Sequence, residues 1–458
     1  MGENGKVIWR KINTDGFGDS SNVSTRGMVT FGDYLYVGVL NLKPLGKIAE
    51  TFASSEFIHR DRKVLSRKEW DKILQKDVLS KGCEIWRWNG EEWECVVGDK
   101  GLLKRGFGNS HNWEASILIP FKNRLYAGTL NMQQGCEIWR TEDGMEWEQV
   151  MGKSAEISNG FGDPTNRAAW SAEIFRIGNK EYLYIGTVNW WKGCEVWRTE
   201  DGEHWEAVAG NVSKTPNGFK RFSGKNNVFA WSMVEFNRWL YVGTAGLKWH
   251  VFPRFALKMI FRYLPISKGC QVWRTFDGIT WEPVVAGFGI RTEMPNGFGD
   301  KDNWGVRRMK VFKEKLFVGT ATNVFECYKA CEIWCYDGYK WEKLVGGGGK
   351  SGYDDGFNDP YNKYAWGMEI YKEKRKEKLY VAVSNPEAPS RKGSEIWVSE
   401  NGTTWKQEVG DEAYENGIGP PDGFGDRSNR VRSMGVFNGK LYAGTYNLRT
   451  GCQVWERV

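Results

Sequence analysis

Histidine is scarce in this chain: His59, His111, His204 and His250 are the only four in 458 residues, too scattered to announce a histidine-based metal cluster. No phosphate loop, dinucleotide fingerprint or nucleophile elbow occurs, so nucleotide-dependent chemistry and serine hydrolysis have no motif to rest on. The opening run Met1-Gly-Glu-Asn-Gly-Lys6 lacks the apolar core of a secretory signal. No stretch approaches the roughly 18 apolar residues of a membrane span. These absences predict a soluble, cytoplasmic chain with no cofactor and no sequence-specific nucleic-acid binding. Alanine-rich and leucine-rich helical stretches are also few. Glycine (56), tryptophan (25) and aromatics in general (15%) are abundant instead, which favours many short strands with tight turns.

Those strands repeat. Each unit reads as an inner strand, a Leu-Tyr-Val/Ala-Gly-Thr strand, a Gly-Cys-Glu-Ile-Trp-Arg strand, an Asp-Gly turn, a Trp-Glu-x-Val strand and a Gly-Phe-Gly-Asp-x-x-Asn loop. The third strand carries seven tryptophans: Trp86, Trp139, Trp197, Trp273, Trp334, Trp397 and Trp455. Its partner strand carries six, Trp93, Trp147, Trp205, Trp281, Trp341 and Trp405, and Trp9 in Val7-Ile-Trp-Arg-Lys-Ile12 supplies the seventh. The pattern predicts an all-β, seven-bladed β-propeller. Its N-terminal strand completes the last blade, whose other three strands come from residues 430–458, so no sheet edge is left exposed. The expected organisation is one domain over 1–458, with insertions at 42–80 in blade one and 247–267 in blade four.

Asn89-Gly90, Asp143-Gly144, Asp201-Gly202, Asp277-Gly278, Asp337-Gly338 and Asn401-Gly402 fall in register and predict hairpins with positive φ at both turn positions. Thr141-Glu-Asp-Gly-Met-Glu-Trp147 and Thr199-Glu-Asp-Gly-Glu-His-Trp205 resemble a shortened Asp-box turn of sialidase-type propellers, and the whole unit resembles repeats of uncharacterised prokaryotic propellers. The resemblance specifies fold more than activity, since one fold hosts many activities.

Residues that recur in the units are assigned to the blade itself. Asp19, Asp163, Asp300, Asp359 and Asp426, with Asn22, Asn112, Asn166, Asn227, Asn303, Asn362 and Asn429, read as loop-shaping side chains. Cys83, Cys136, Cys194, Cys270, Cys331 and Cys452 share one repeat position, too far apart between blades for disulfides, and read as small buried apolar residues. Ser394 takes that place in blade six. The Cys327, Cys331, Cys335 spacing is read as strand packing, with no metal.

Departures from the repeat point to function. The 42–80 insertion contains nine basic and six acidic residues, with a helix predicted from Ser66 onward; 247–267 contains four basic residues and no acid. Together they carry the whole formal net charge of +7. Both connections belong to one face, which becomes a candidate surface for an anionic ligand, a protein partner or, through the apolar 247–267 run, a peripheral membrane contact. The contact residues expected there are Trp249, Phe252, Arg254, Phe255, Lys258, Phe261 and Arg262.

Aligned two residues ahead of Met28, Met233, Met309, Met368 and Met434, the inner strands present Arg26, Trp231, Arg307, Trp366 and Arg432, with Trp170 and Ser116 in the remaining blades. Such a ring at a funnel mouth can hold a carboxylate, phosphate or sugar by bidentate hydrogen bonds and stacking. It can equally pack between blades and pair with Glu173, Glu235 or Glu369. The functional reading is a non-catalytic scaffold that binds through its basic face. The alternative, implied by the sialidase resemblance, is a carbohydrate-processing enzyme in which Arg26, Arg307 and Arg432 clamp a carboxylate. No tyrosine–glutamate pair matches that family's nucleophile, and sialidase propellers have six blades.

Overall fold

The structure is a computed structural model that describes residues 6–42, 79–153, 155–210, 227–246, 269–287, 292–322, 329–384 and 392–458. Among them are 28 strands. They pair as seven antiparallel four-stranded meanders; blade one, for example, runs Asn22–Phe31, Tyr34–Asn41, Glu84–Trp88, Trp93–Val97. The second strand of a blade also touches the next inner strand, as where Leu40 lies opposite Glu114 and Leu130 opposite Ala168. Tyr446 opposite Ser24 returns the last blade to the first. This is the connectivity of a β-propeller.

Head and tail share a sheet. Trp9–Lys11 pairs with Val454–Arg457, placing Trp9 opposite Arg457 and Lys11 opposite Trp455. Trp9 is buried against Phe424 at 5.4 Å, and its indole N–H donates to Glu408. Arg457 holds Glu408 and Glu373 at 2.8 and 3.1 Å, so the closing strand is fixed by packing and by buried ion pairs.

The repeat motif has a physical reading. A Cβ at Gly128, Gly186 or Gly319 would stand 2.5–2.6 Å from the Cβ of Ala169, Ala230 or Ala365, so the Leu-Tyr-Val-Gly-Thr glycine permits close blade-to-blade packing. At the loops, Asn22, Asn112, Asn166, Asn303 and Asn362 each donate to the carboxylate of Glu84, Glu137, Glu195, Glu332 or Glu395, which also accepts the adjacent tryptophan N–H. Asn227 and Asn429 do the same with Gln271 and Gln453. Each link satisfies buried polar groups that would otherwise cost about 1–3 kcal/mol.

The phenylalanine of the Gly-Phe-Gly-Asp loop takes φ of 56–61° in six described loops. That left-handed backbone is offset by stacking on the third-strand tryptophan, with ring centroids 4.5–5.0 Å apart.

The Asp-Gly turns differ from expectation. Only their glycines have positive φ, and each preceding Asp or Asn folds its side chain over the loop: Asp143 Oδ1 accepts from the backbone N–H of Met145 and Glu146, and Asp277 Oδ1 from Ile279 and Thr280. These are longer side-chain-capped loops, because an aspartate that accepts two amides needs no left-handed backbone of its own. The repeat cysteines are buried free thiols, and burial raises their pKa; among the others it pushes Cys335 up to about 11. Residues 43–78 and 247–268, which include the partner-contact candidates, lie outside the described residues, as does Cys327.

Candidate ligand site on the propeller axis

In all seven blades the ring position falls where the pairing of the inner strand slips. Ala169 lies opposite Thr187 and Ser171 opposite Gly186, leaving Trp170 as the extra residue. Ser116, Trp231, Arg307, Trp366 and Arg432 are extra in the same way, and Arg26 shares a wider slip with Gly27. A β-bulge re-aims the side chain it carries, here seven times around one axis.

The structure brings the predicted ring residues together and buries them. Arg26, Trp231, Arg307, Trp366 and Arg432 are each no more than 6% exposed, and Trp170 is half-buried. The Arg26 guanidinium lies 3.5 Å from the centroid of Trp170, while Arg307 sits between Trp231 and Trp366 at 5.0 and 5.5 Å. Arg432 is 5.6 Å from Trp366. The aromatic side continues through neighbours that strand alignment did not single out: Phe229 stacks on Trp231 at 5.3 Å, Trp304 lies 4.8 Å from Trp231, and Tyr364 bridges Trp304 and Trp366.

Two charged members were also missed. Arg308 donates from Nε to the Trp366 carbonyl and from Nη2 to the Arg432 carbonyl. Its counterparts are Gly27, Ile117, Ser171, Ser232, Gly367 and Ser433, so a lone charge among small or apolar residues was the available signal. Glu114, fully buried, meets Arg432 Nη1 at 2.8 Å. Glu173, Glu235 and Glu369 do not pair with the ring; Glu369 holds Lys310 at 2.8 Å.

The electrostatics are unbalanced. Four guanidiniums converge, and among the described residues Glu114 is the one carboxylate in ion-pair contact with them. Arg26 donates to the Ser116 and Trp170 carbonyls, leaving Nη1 without a partner. Arg307 Nε and Nη1, Arg432 Nε and the indole nitrogens of Trp170, Trp231 and Trp366 are likewise unpaired. Burial, then the neighbouring guanidiniums, lower the pKa of Arg307, and burial with Arg432 brings Arg308 down to about 10. Burial also dominates at Arg26, opposed by Glu114.

A cavity of about 340 Å³ runs from this cluster along the axis. Arg26, Trp170, Trp231 and Arg308 line one part of it, and Glu173, Lys310 and Glu369 another. Burial pushes the Glu173 carboxyl up to about 7, against the backbone N–H of Ile174 and the charge of Lys310. Among the described residues no group of three His, Cys, Asp or Glu side chains is arranged to hold a metal ion, and no helix is long and apolar enough to cross a membrane.

No protein-family model matches the chain, and no curated protein does. Solved structures similar to it are propellers. Trypanosoma rangeli sialidase in complex with the inhibitor DANA is 10% identical, with a TM-score of 0.42 over 99% of this chain and 59% of that one. The β-propeller domain of the Trilobed protease from Pyrococcus furiosus is 7% identical, with a TM-score of 0.40 over 95% of both. An exo-β-1,3-galactanase from Phanerochaete chrysosporium is 9% identical, with a TM-score of 0.34 over 62% of this chain and 59% of that one. The chain spans about half the length of the sialidase in its sialic acid complex.

Proposed function

We propose that this protein binds a small anionic ligand, carrying a carboxylate or phosphate, at the arginine–tryptophan cluster on its axis. The observation that supports this reading is the excess of buried positive charge: among the described residues, Glu114 is the one carboxylate in ion-pair contact with Arg26, Arg307, Arg308 and Arg432, Glu369 acts on Arg308 from further away, and donors are left unpaired on three of the four. A buried charge without a partner costs several kcal/mol, a cost that an anion bound beside it would offset. Guanidiniums held by backbone carbonyls and framed by indoles are preorganised for bidentate recognition of a planar or tetrahedral anion, and the indole N–H groups and ring faces suit a hydroxylated ring beside it.

The scaffold and carbohydrate-processing alternatives share this site, since both need the ligand to be held before anything else happens. The test is calorimetric titration with inorganic phosphate, glucuronate and N-acetylneuraminate at low and high salt. At least one binds, and Arg26→Met, at an arginine that lines the cavity, weakens it tenfold or more. Absence of binding by all three, or an affinity unmoved by Arg26→Met in a folded variant, overturns the reading.

A further inference from the structure

The same cavity is bipolar, and its far part is unused by an anion at the arginines. Lys310 Nζ is taken by Glu369, and Glu173 accepts from the backbone N–H of Ile174 at 3.2 Å, with no cation in ion-pair contact. Trp170 and Glu173 lie on the same inner strand, three residues apart, which sets the two parts of the cavity about 10 Å from each other. Arg26 and Trp231, each with a buried unpartnered nitrogen, line one part, and a carboxyl with no cation in ion-pair contact lines the other.

We infer that the ligand is amphoteric, with its carboxylate or phosphate against Arg26 and Arg308, the two arginines that line the cavity, and a protonated amine against Glu173. This deepens the anion-binding reading and rests on it. Both ends then gain the charge each lacks: the arginine cluster receives an anion, and Glu173 a cation in direct contact, where Lys310, held by Glu369, acts on it only from a distance. Exposed Glu235, next along the axis in the adjacent blade, adds negative potential to the same end. The carboxyl of Glu173 is raised by burial, so meeting an ammonium draws it into the ionised form and releases a proton on binding near neutral pH.

The probes are ω-amino carboxylates from 4-aminobutanoate to 8-aminooctanoate and the unsubstituted alkanoates of equal chain length, titrated calorimetrically at pH 7 in two buffers of different ionisation enthalpy, with inorganic phosphate as reference. The amine-bearing member that spans the cavity binds about tenfold tighter than its alkanoate, with proton release, and Glu173→Gln brings it to the alkanoate's affinity. Equal affinity of the two series, or an amine increment that survives Glu173→Gln, overturns the amphoteric assignment while leaving the anion site standing. Failure of phosphate and of both series overturns the anion site itself.

Discussion

The periphery and the axis of this propeller treat polar groups in opposite ways. At the periphery the same residue types recur and their polar atoms find one another: each loop asparagine meets a glutamate or glutamine, which in turn meets a tryptophan N–H. At the axis the residues differ from blade to blade, and Arg26, Arg307 and Arg432 keep buried guanidinium nitrogens without partners and have one carboxylate in ion-pair contact between them, whereas peripheral Arg105 and Arg140 each hold two or more. Repetition serves a structure whose needs are the same in every blade. A site that must match one asymmetric molecule needs departures from that repetition, and it leaves groups for the molecule to satisfy. Removing a peripheral side chain therefore destabilises the fold, whereas removing an axial one relieves it.

The largest effect is expected at the closing strand. Trp9→Ala removes a buried indole, its packing on Phe424 and its bond to Glu408, and is expected to lower unfolding free energy by about 3–5 kcal/mol in chemical denaturation. A loss under 1 kcal/mol would mean the ring does not depend on this strand. Next comes Asn303→Ala, which deprives buried Glu332 of one donor and leaves the Gly297 carbonyl with the backbone N–H of Asp300 alone. It is expected to cost about 2 kcal/mol, seen as a lowered denaturation midpoint.

At the axis the sign reverses. Glu173 has a folded pKa of about 7, above its ordinary value of 4.5, so its contribution to stability is greatest below pH 4.5 and is lost as pH rises through 7. Glu173→Gln is accordingly expected to stabilise the protein by about 3 kcal/mol at pH 8, from roughly 1.4 kcal/mol per pKa unit, and by nothing near pH 4. Denaturation curves at the two pH values check this, and a variant equally affected at both would show that the carboxyl does not titrate in that window. Asp422, raised by burial to about 7 despite Lys392 at 3.9 Å, adds a slope of the same sign in both proteins and cancels in the difference.

The sequence made the periphery legible because each signal is repeated: seven third-strand tryptophans, six Asp-Gly or Asn-Gly pairs, and a Trp9 with no partner until the tail is brought to it. It made the ring legible only in part. Aligning the inner strands found Arg26, Trp170, Trp231, Arg307, Trp366 and Arg432, but strict alternation sends Arg307 and Arg308 to opposite faces of a strand. The bulge cancels that alternation, and both side chains reach the arginine cluster. Glu114 was lost for a different reason, since it reads as one more polar residue at the start of a strand until Arg432 from another blade is placed beside it. The Asp-Gly turns misled because the dipeptide signals a turn without saying whether side chain or backbone closes it.

The most direct measurement is the unfolding free energy of Arg307→Met in the absence of ligand. Arg307 is 1% exposed, with two nitrogens unpaired among like charges. If the axial charge is held for a ligand, replacing it with an apolar side chain of similar length stabilises the empty protein by about 1–4 kcal/mol. A loss of stability on the scale of Asn303→Ala would contradict the account, because Arg307 would then belong to the scaffold.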